Sequence, residues 1–153
     1  MPEAFLDHFI EAHQAKYKDA LSELKKGQKK THWMWFIFPI VKGLGKSETA
    51  QYYAIESLNE AVSFIEHPYL GENYLKCLDA ILLHQGENIQ VILGTSVDKW
   101  KFRASLTLFD QATSDEYGKN QIKSCLIEFY GGKKCSKTSK ILTSFRELEV
   151  ILV

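Results

Sequence analysis

Apolar residues recur at three- and four-residue spacing along most of this chain. Between residues 5 and 24 they are Phe5, Leu6, Phe9, Ile10, Tyr17, Ala20, Leu21 and Leu24, a stripe that predicts an amphipathic helix. Gly27 follows as its stop. One polar side chain, His13, sits on the stripe between Ile10 and Tyr17, as a hydrogen-bonded core histidine or as a pocket-lining residue. Residues 28–48 contain Pro39, Gly43 and Gly45, which predict irregular backbone. Within them, residues 33–38 fit a strand or a helical turn, because periodicity does not separate the two over so short a run. Ser47 is placed to open a short helix through Ala54. Ser57 and Glu60 form a capping box ahead of Leu58, Ala61, Val62, Phe64 and Ile65. His67-Pro68 ends that helix, and Pro68 can begin the next at its first position. The next stripe is Leu70, Tyr74, Leu75, Leu78, Ile81 and Leu82, closed by Gly86; residues 88–93 then fit a helical turn or a short strand.

Residues 96–112 send two signals. Trp100, Phe102, Ala104, Leu106 and Leu108 alternate with Lys101, Arg103, Ser105 and Thr107, which is a strand pattern. Ser96 and Asp98 are helix-start residues, and the segment is long for a strand, so a helix is the expectation. A further helix is predicted over 115–130, through Tyr117, Ile122, Leu126, Phe129 and Tyr130, with Gly131-Gly132 as its end. A lysine-rich link leads to Thr138 and a last apolar segment through Val153. The predicted class is mainly α, in one compact helical domain of residues 1–153, with short strands as the alternative at the ambiguous runs.

Composition narrows the function classes. The 19 basic and 19 acidic side chains cancel, so net charge gives no attraction toward nucleic acid, a membrane surface or an acidic ligand. Cys77, Cys125 and Cys135 form no C-x-x-C pair, which argues against a disulfide scaffold or a zinc site and suits a reducing compartment. Met1-Pro2-Glu3-Ala4 lacks the basic and apolar regions of a secretory leader. No apolar run approaches the roughly eighteen residues needed to cross a bilayer. The expected location is the cytoplasm, with no membrane partner.

Familiar catalytic patterns fail in turn. Gly43-Leu44-Gly45-Lys46-Ser47 looks like the tail of a phosphate-binding loop, but the leading glycine is replaced by Ile40. His8, His13, His32, His67 and His84 make no zinc-hydrolase pattern, and no G-x-S-x-G elbow exists, so no metal and no cofactor are implied. Cys135 beside Lys134 reads as a surface thiol. The lysines of the tail (Lys119, Lys123, Lys133, Lys134, Lys137 and Lys140, with Arg146) read as solvated surface, and nucleic acid is not an expected partner. Lys101, Arg103, Ser105 and Thr107 carry more weight. They offer cations and hydroxyls beside Trp100 and Phe109, a mixture suited to a phosphate or carboxylate, or else they form a solvated helix face.

Several segments identify a relationship. They include Phe9-Ile10-Glu11-Ala12-His13, His32-Trp33-Met34-Trp35-Phe36-Ile37-Phe38-Pro39, Gly43-Leu44-Gly45-Lys46-Ser47 and His67-Pro68-Tyr69-Leu70-Gly71. Ile92-Leu93-Gly94, Lys101 with Ser105-Leu106-Thr107-Leu108-Phe109, and Phe129-Tyr130-Gly131-Gly132 follow in order. Together, from about Phe5 to Leu142, they resemble the domain of unknown function family 1810, whose members are small and mainly helical. The calpastatin-like label attached to some bacterial members does not suit this chain, which is neither disordered nor repetitive. The resemblance implies Gln at His13 and Ile40, Gly at Ala54 and Asp at Cys135; a function that relatives draw from the polar residues at positions 40 and 135 is not expected here. A fold-level likeness to small helical domains that handle NAD and ADP-ribose and cleave N-glycosidic bonds implies a nucleotide-like ligand, although no position matches their acidic catalytic residue.

The expectation is therefore a domain that binds or hydrolyses a nucleotide-like ligand between the aromatic run and the 101–107 segment. Trp33 and Trp35 would stack a ring, and His32 would serve as acid or base. Lys101, Ser105 and Thr107 would hold phosphate, with His13 and Phe109 completing the lining. The alternative is a non-enzymatic interaction or regulatory module in which the aromatic run is only core. Convergence of His32, Trp35 and Lys101 on one face would favour the first; scattering would favour the second.

Overall fold

Cap residues written into the sequence set where the helices begin. The computed structural model describes residues 4–152; Met1, Pro2, Glu3 and Val153, and with them the reading of the N-terminal leader, lie outside the described residues. A 3-10 turn (Ala4–Leu6) leads into α1 (Asp7–Lys25), followed by α2 (Met34–Ile37), α3 (Glu48–Tyr52), α4 (Leu58–Glu66) and α5 (Pro68–Leu82). Then come α6 (Ile89–Leu93), α7 (Ser96–Ala112), α8 (Glu116–Tyr130) and α9 (Ser136–Leu152). Ser47 Oγ accepts from the Ala50 amide and opens α3. Ser57 Oγ accepts from the Glu60 amide, while Glu60 Oε2 reaches back to the Glu56 amide, one residue earlier than a reciprocal box requires. His67 Nδ1 accepts from the Tyr69 and Leu70 amides, and Pro68 starts α5. Asn88, Thr95 and Asp115 cap α6, α7 and α8 in the same way.

The strand alternatives do not hold. Residues 33–38 and 88–93 each contain a short helix, and the alternating 96–112 segment is α7. Among the described residues there is no strand; Val41 and Ile55 form one isolated parallel bridge. α7 begins at the expected Ser96, and Thr95, one residue earlier in extended backbone, is its cap.

Two glycines are fixed by geometry. Gly27 adopts φ +75 where α1 stops, and His84 Nε2 bonds the carbonyls of Leu24 and Lys25 at that end. At Gly71 a Cβ would lie 2.0 Å from the Ile65 carbonyl, so the corner between α4 and α5 admits no side chain.

α7 is the central helix, packed on α4, α6, α8, α9 and α2, while α5 packs on α1, α4 and α8. The interior is strongly aromatic. Phe38 lies 4.7 Å from Phe102 and 5.6 Å from Tyr74, and Tyr74 lies 4.7 Å from Phe109. Phe9 meets Phe64, and Phe64 meets Phe109. Such tilted and edge contacts add to the area these rings bury. No helix among the described residues is long and apolar enough to cross a membrane.

The chain from α1 into α2 is held by one carboxylate. Glu23 accepts the amides of Lys30 and Thr31, the Thr31 hydroxyl and the Trp33 indole N–H, at 2.6–3.0 Å. Burial works to raise its pKa, but the bonds from Thr31, Lys30 and Trp33 outweigh it and hold the carboxyl at about 2. Replacing Glu23 with Gln removes the charge and is expected to cost about 1 kcal/mol, a value kept low because the site is open to solvent. The folded chain holds this group more acidic than the unfolded one. Its contribution is therefore present above about pH 4.5 and lost as pH falls toward about 2. Denaturant midpoints of the parent and Glu23→Gln should differ at neutral pH and converge across that window; a pH-independent gap would contradict this role.

Candidate functional site

The aromatic run turns back on itself as a short helix, so its side chains point in different directions. Trp33 is fully buried, with Phe38 6.0 Å away. Lys29 Nζ lies 5.3 Å from the Trp33 ring centroid and pairs with Asp98 at 3.1 Å, both side chains nearly buried. Trp33 is thus enclosed by protein and offers no face to a ligand.

His13 is also interior. Its Nε2–H donates to the Phe36 carbonyl at 2.8 Å, and Nδ1 accepts from the Asn73 amide at 3.0 Å. Burial drives its pKa down to about 4, against the Phe36 carbonyl, which favours the charged form, and with a smaller push from His67. The neutral ring joins α1 to α2 and α5. Asn73, like Glu23, carried no signal in the sequence, because a partner sixty positions away leaves no local pattern.

The 101–109 residues divide. Ser105 is buried and shares a 3.1 Å hydrogen bond with the Tyr74 hydroxyl. Thr107 Oγ1 donates to the Arg103 carbonyl at 2.8 Å and accepts from the Cys135 amide at 2.9 Å. Phe109 packs on Tyr74 and Phe64 with no exposed surface. Their inward placement corrects the expectation that Ser105 and Thr107 share a presented face with Lys101: α7 is enclosed, and its hydroxyls satisfy protein groups instead.

Three candidates converge. Trp35 is half-buried; Lys101 Nζ lies 5.4 Å from its ring centroid, and the His32 ring lies 6.4 Å away. His32 is exposed. The Trp35 Nε1 is buried without a hydrogen-bond partner. Lys101 joins no ion pair among the described residues, so its charge is uncommitted apart from the ring. The arrangement can attract an anion and present an aromatic edge to it. No described side chain hydrogen-bonds and orients His32, which a general base ordinarily needs.

Other sequence features are absorbed by packing. In the Gly43–Ser47 turn a Cβ on Gly45 would lie 2.5 Å from that of Ala50, which accounts for the glycine without a phosphate. Cys135 is buried rather than a surface thiol; it packs with Ile40 and Ala104, against Leu44 and Trp100. Lys134 turns away to Asp110 at 2.9 Å. The tail position Arg146 lies among residues whose side chains are not described. A groove of about 460 Å³ between α1 and α5, lined by Tyr17, Lys25, Lys76 and Asp79 among others, contains none of the candidate residues.

Replacing His13 with Ala strands the Asn73 amide and the Phe36 carbonyl and opens a cavity, an expected loss of about 2–4 kcal/mol by denaturant unfolding. His13→Gln keeps a donor and an acceptor and should lose less. Because the folded chain favours the neutral ring, this contribution is intact above about pH 6.5 and declines as pH falls toward about 4. An NMR titration in which His13 gains its proton near its ordinary value would overturn the assignment.

The chain resembles a solved structure along nearly its whole length. The crystal structure of the conserved hypothetical protein Rv1873 from Mycobacterium tuberculosis superimposes with a TM-score of 0.86 at 34% identity, covering 94% of this chain and 99% of that one. No curated protein matches. A family model described as "Protein of unknown function (DUF1810)" matches residues 3–142. The aromatic run and the segments around it thus carry the identity that the sequence suggested: this chain belongs to the DUF1810 family.

Proposed function

We propose that this chain binds an anionic small molecule with a planar ring, of the nucleotide or ADP-ribose class, at the surface formed by Trp35, Lys101 and His32. The single observation that carries this reading is the placement of the Lys101 ammonium over the Trp35 ring with His32 alongside. Two segments far apart in sequence supply them. A cation held over an aromatic ring sets an anion-attracting group next to an aromatic surface. Binding is the reading, and bond cleavage is not part of it, because His32 has no orienting partner among the described residues.

A second reading, an interaction module without a small-molecule site, draws support from the interior positions of Trp33, Ser105 and Thr107. The two readings separate in a thermal-shift series with ADP-ribose, NAD, AMP and inorganic phosphate. A ligand at a hundred times its dissociation constant should stabilise the fold by about 2.7 kcal/mol. The expected result is a shift with a nucleotide-class ligand that Lys101→Ala and Trp35→Ala each weaken by about tenfold or more, on the scale of one charge-assisted contact. No shift, or a shift unchanged in both variants, removes the small-molecule reading and leaves the module.

A further inference from the structure

The cleft between the N-terminal turn, α1, α3 and the start of α4 belongs to no part of the Trp35 surface. Its volume is about 340 Å³, within the range of small-molecule sites. Phe5, His8, Gln51, Tyr52, Glu56 and Glu60 line it, with Phe9 and Ala54. The lining thus combines aromatic rings and two carboxylates, and holds no lysine or arginine in a chain that carries 19 basic residues.

The rings are clustered. His8 lies 5.0 Å from Tyr52 at an interplanar angle of 68°, and 5.3 Å from Tyr53, on which it stacks. Tyr52 and Tyr53 meet edge to face at 4.9 Å. Tyr52 is nevertheless 63% exposed, an unusual state for so large a ring already placed against two others. The acids are only partly used. Glu60 Oε2 takes the Glu56 amide, but Glu60 makes no ion pair among the described residues. Glu56 meets Lys42 at 3.3 Å, in a pair whose side chains are both well exposed and so weakly coupled. Burial holds His8 below its ordinary pKa, against the carbonyls of Tyr52 and Phe5 and the carboxylates of Glu60 and Asp7. The imidazole is therefore predominantly neutral at neutral pH.

We infer that this cleft is a binding site for a compact organic cation of the ammonium class, held by the aromatic rings of His8 and Tyr52 and by the carboxylates of Glu60 and Glu56. Ring faces attract cations through their quadrupole, most strongly where water is displaced. The carboxylates supply the long-range attraction; no cation lines the cleft, and Lys42, outside the lining, offsets only Glu56.

The test uses the whole chain and choline as the probe, followed by NMR of the His8 and Tyr52 ring signals. The control is the neutral isostere of choline, in which carbon replaces the quaternary nitrogen. Choline should shift both rings saturably, and the isostere should not. Tyr52→Ala, at an exposed position, and Glu60→Gln, which keeps an acceptor for the Glu56 amide, should each weaken choline by about fivefold or more. Lys101→Ala should leave choline binding unchanged, which separates this site from the Trp35 surface. Equal shifts from choline and the isostere, no shift at millimolar choline, or full affinity in both Tyr52→Ala and Glu60→Gln would each overturn the inference.

Discussion

An aromatic run enters a helical interior at least cost where the polar atoms it carries find partners there. Water cannot follow, and each orphaned buried group costs on the order of 1–3 kcal/mol. Helix α1 meets this constraint at two points. Near its end, Glu23 collects the Trp33 indole and the amides leading to it. In its middle, His13 donates to the Phe36 carbonyl and is itself fixed by Asn73 of α5. A four-residue helix has no stability of its own, so α2 exists because these ties and its neighbours hold it. With α2 in place, Phe38 reaches Tyr74 and Phe102, and the central helices α5 and α7 close around the same rings.

The same arrangement decides what remains at the surface. Trp33 precedes α2 with non-helical backbone and is fully buried, whereas Trp35 lies within the short helix and keeps part of its ring exposed. Lys101 stands at the matching edge of α7, and the nearly buried Lys29–Asp98 pair closes the Trp33 side. The candidate surface is thus what burial of Trp33 leaves over, which is why Trp33 and Trp35 cannot act as two stacking platforms for one ligand.

Legibility in the sequence followed the range of the interaction. Caps are local, so Ser47, Ser57 and His67-Pro68 could be read directly and fixed the starts of three helices. The 96–112 segment was readable as a helix but not for its faces. Periodicity reports one-sided burial, and α7 is surrounded by α2, α4, α6, α8 and α9. On an enclosed helix a serine or threonine is no sign of solvent; Ser105 and Thr107 pair with Tyr74 and Cys135. The roles of Glu23 and Asn73 were invisible because their partners come from other elements. The resemblance conveyed the family but none of this geometry.

The departures that the resemblance implies at Ile40 and Cys135, where it leads one to expect Gln and Asp, form a coupled set. In the folded chain the two residues lie together with Ala104 in one small apolar cluster. A single polar group kept there beside an apolar neighbour would be buried without a partner, at a cost on the order of 1–3 kcal/mol. Changing both positions leaves nothing unsatisfied and replaces polar contact with packing against Leu44 and Trp100. Any chemistry that relatives draw from polar groups at these two positions has no counterpart here. On the binding reading proposed above, recognition rests on Lys101, Trp35 and His32, with no described group hydrogen-bonded to His32 to orient it for catalysis.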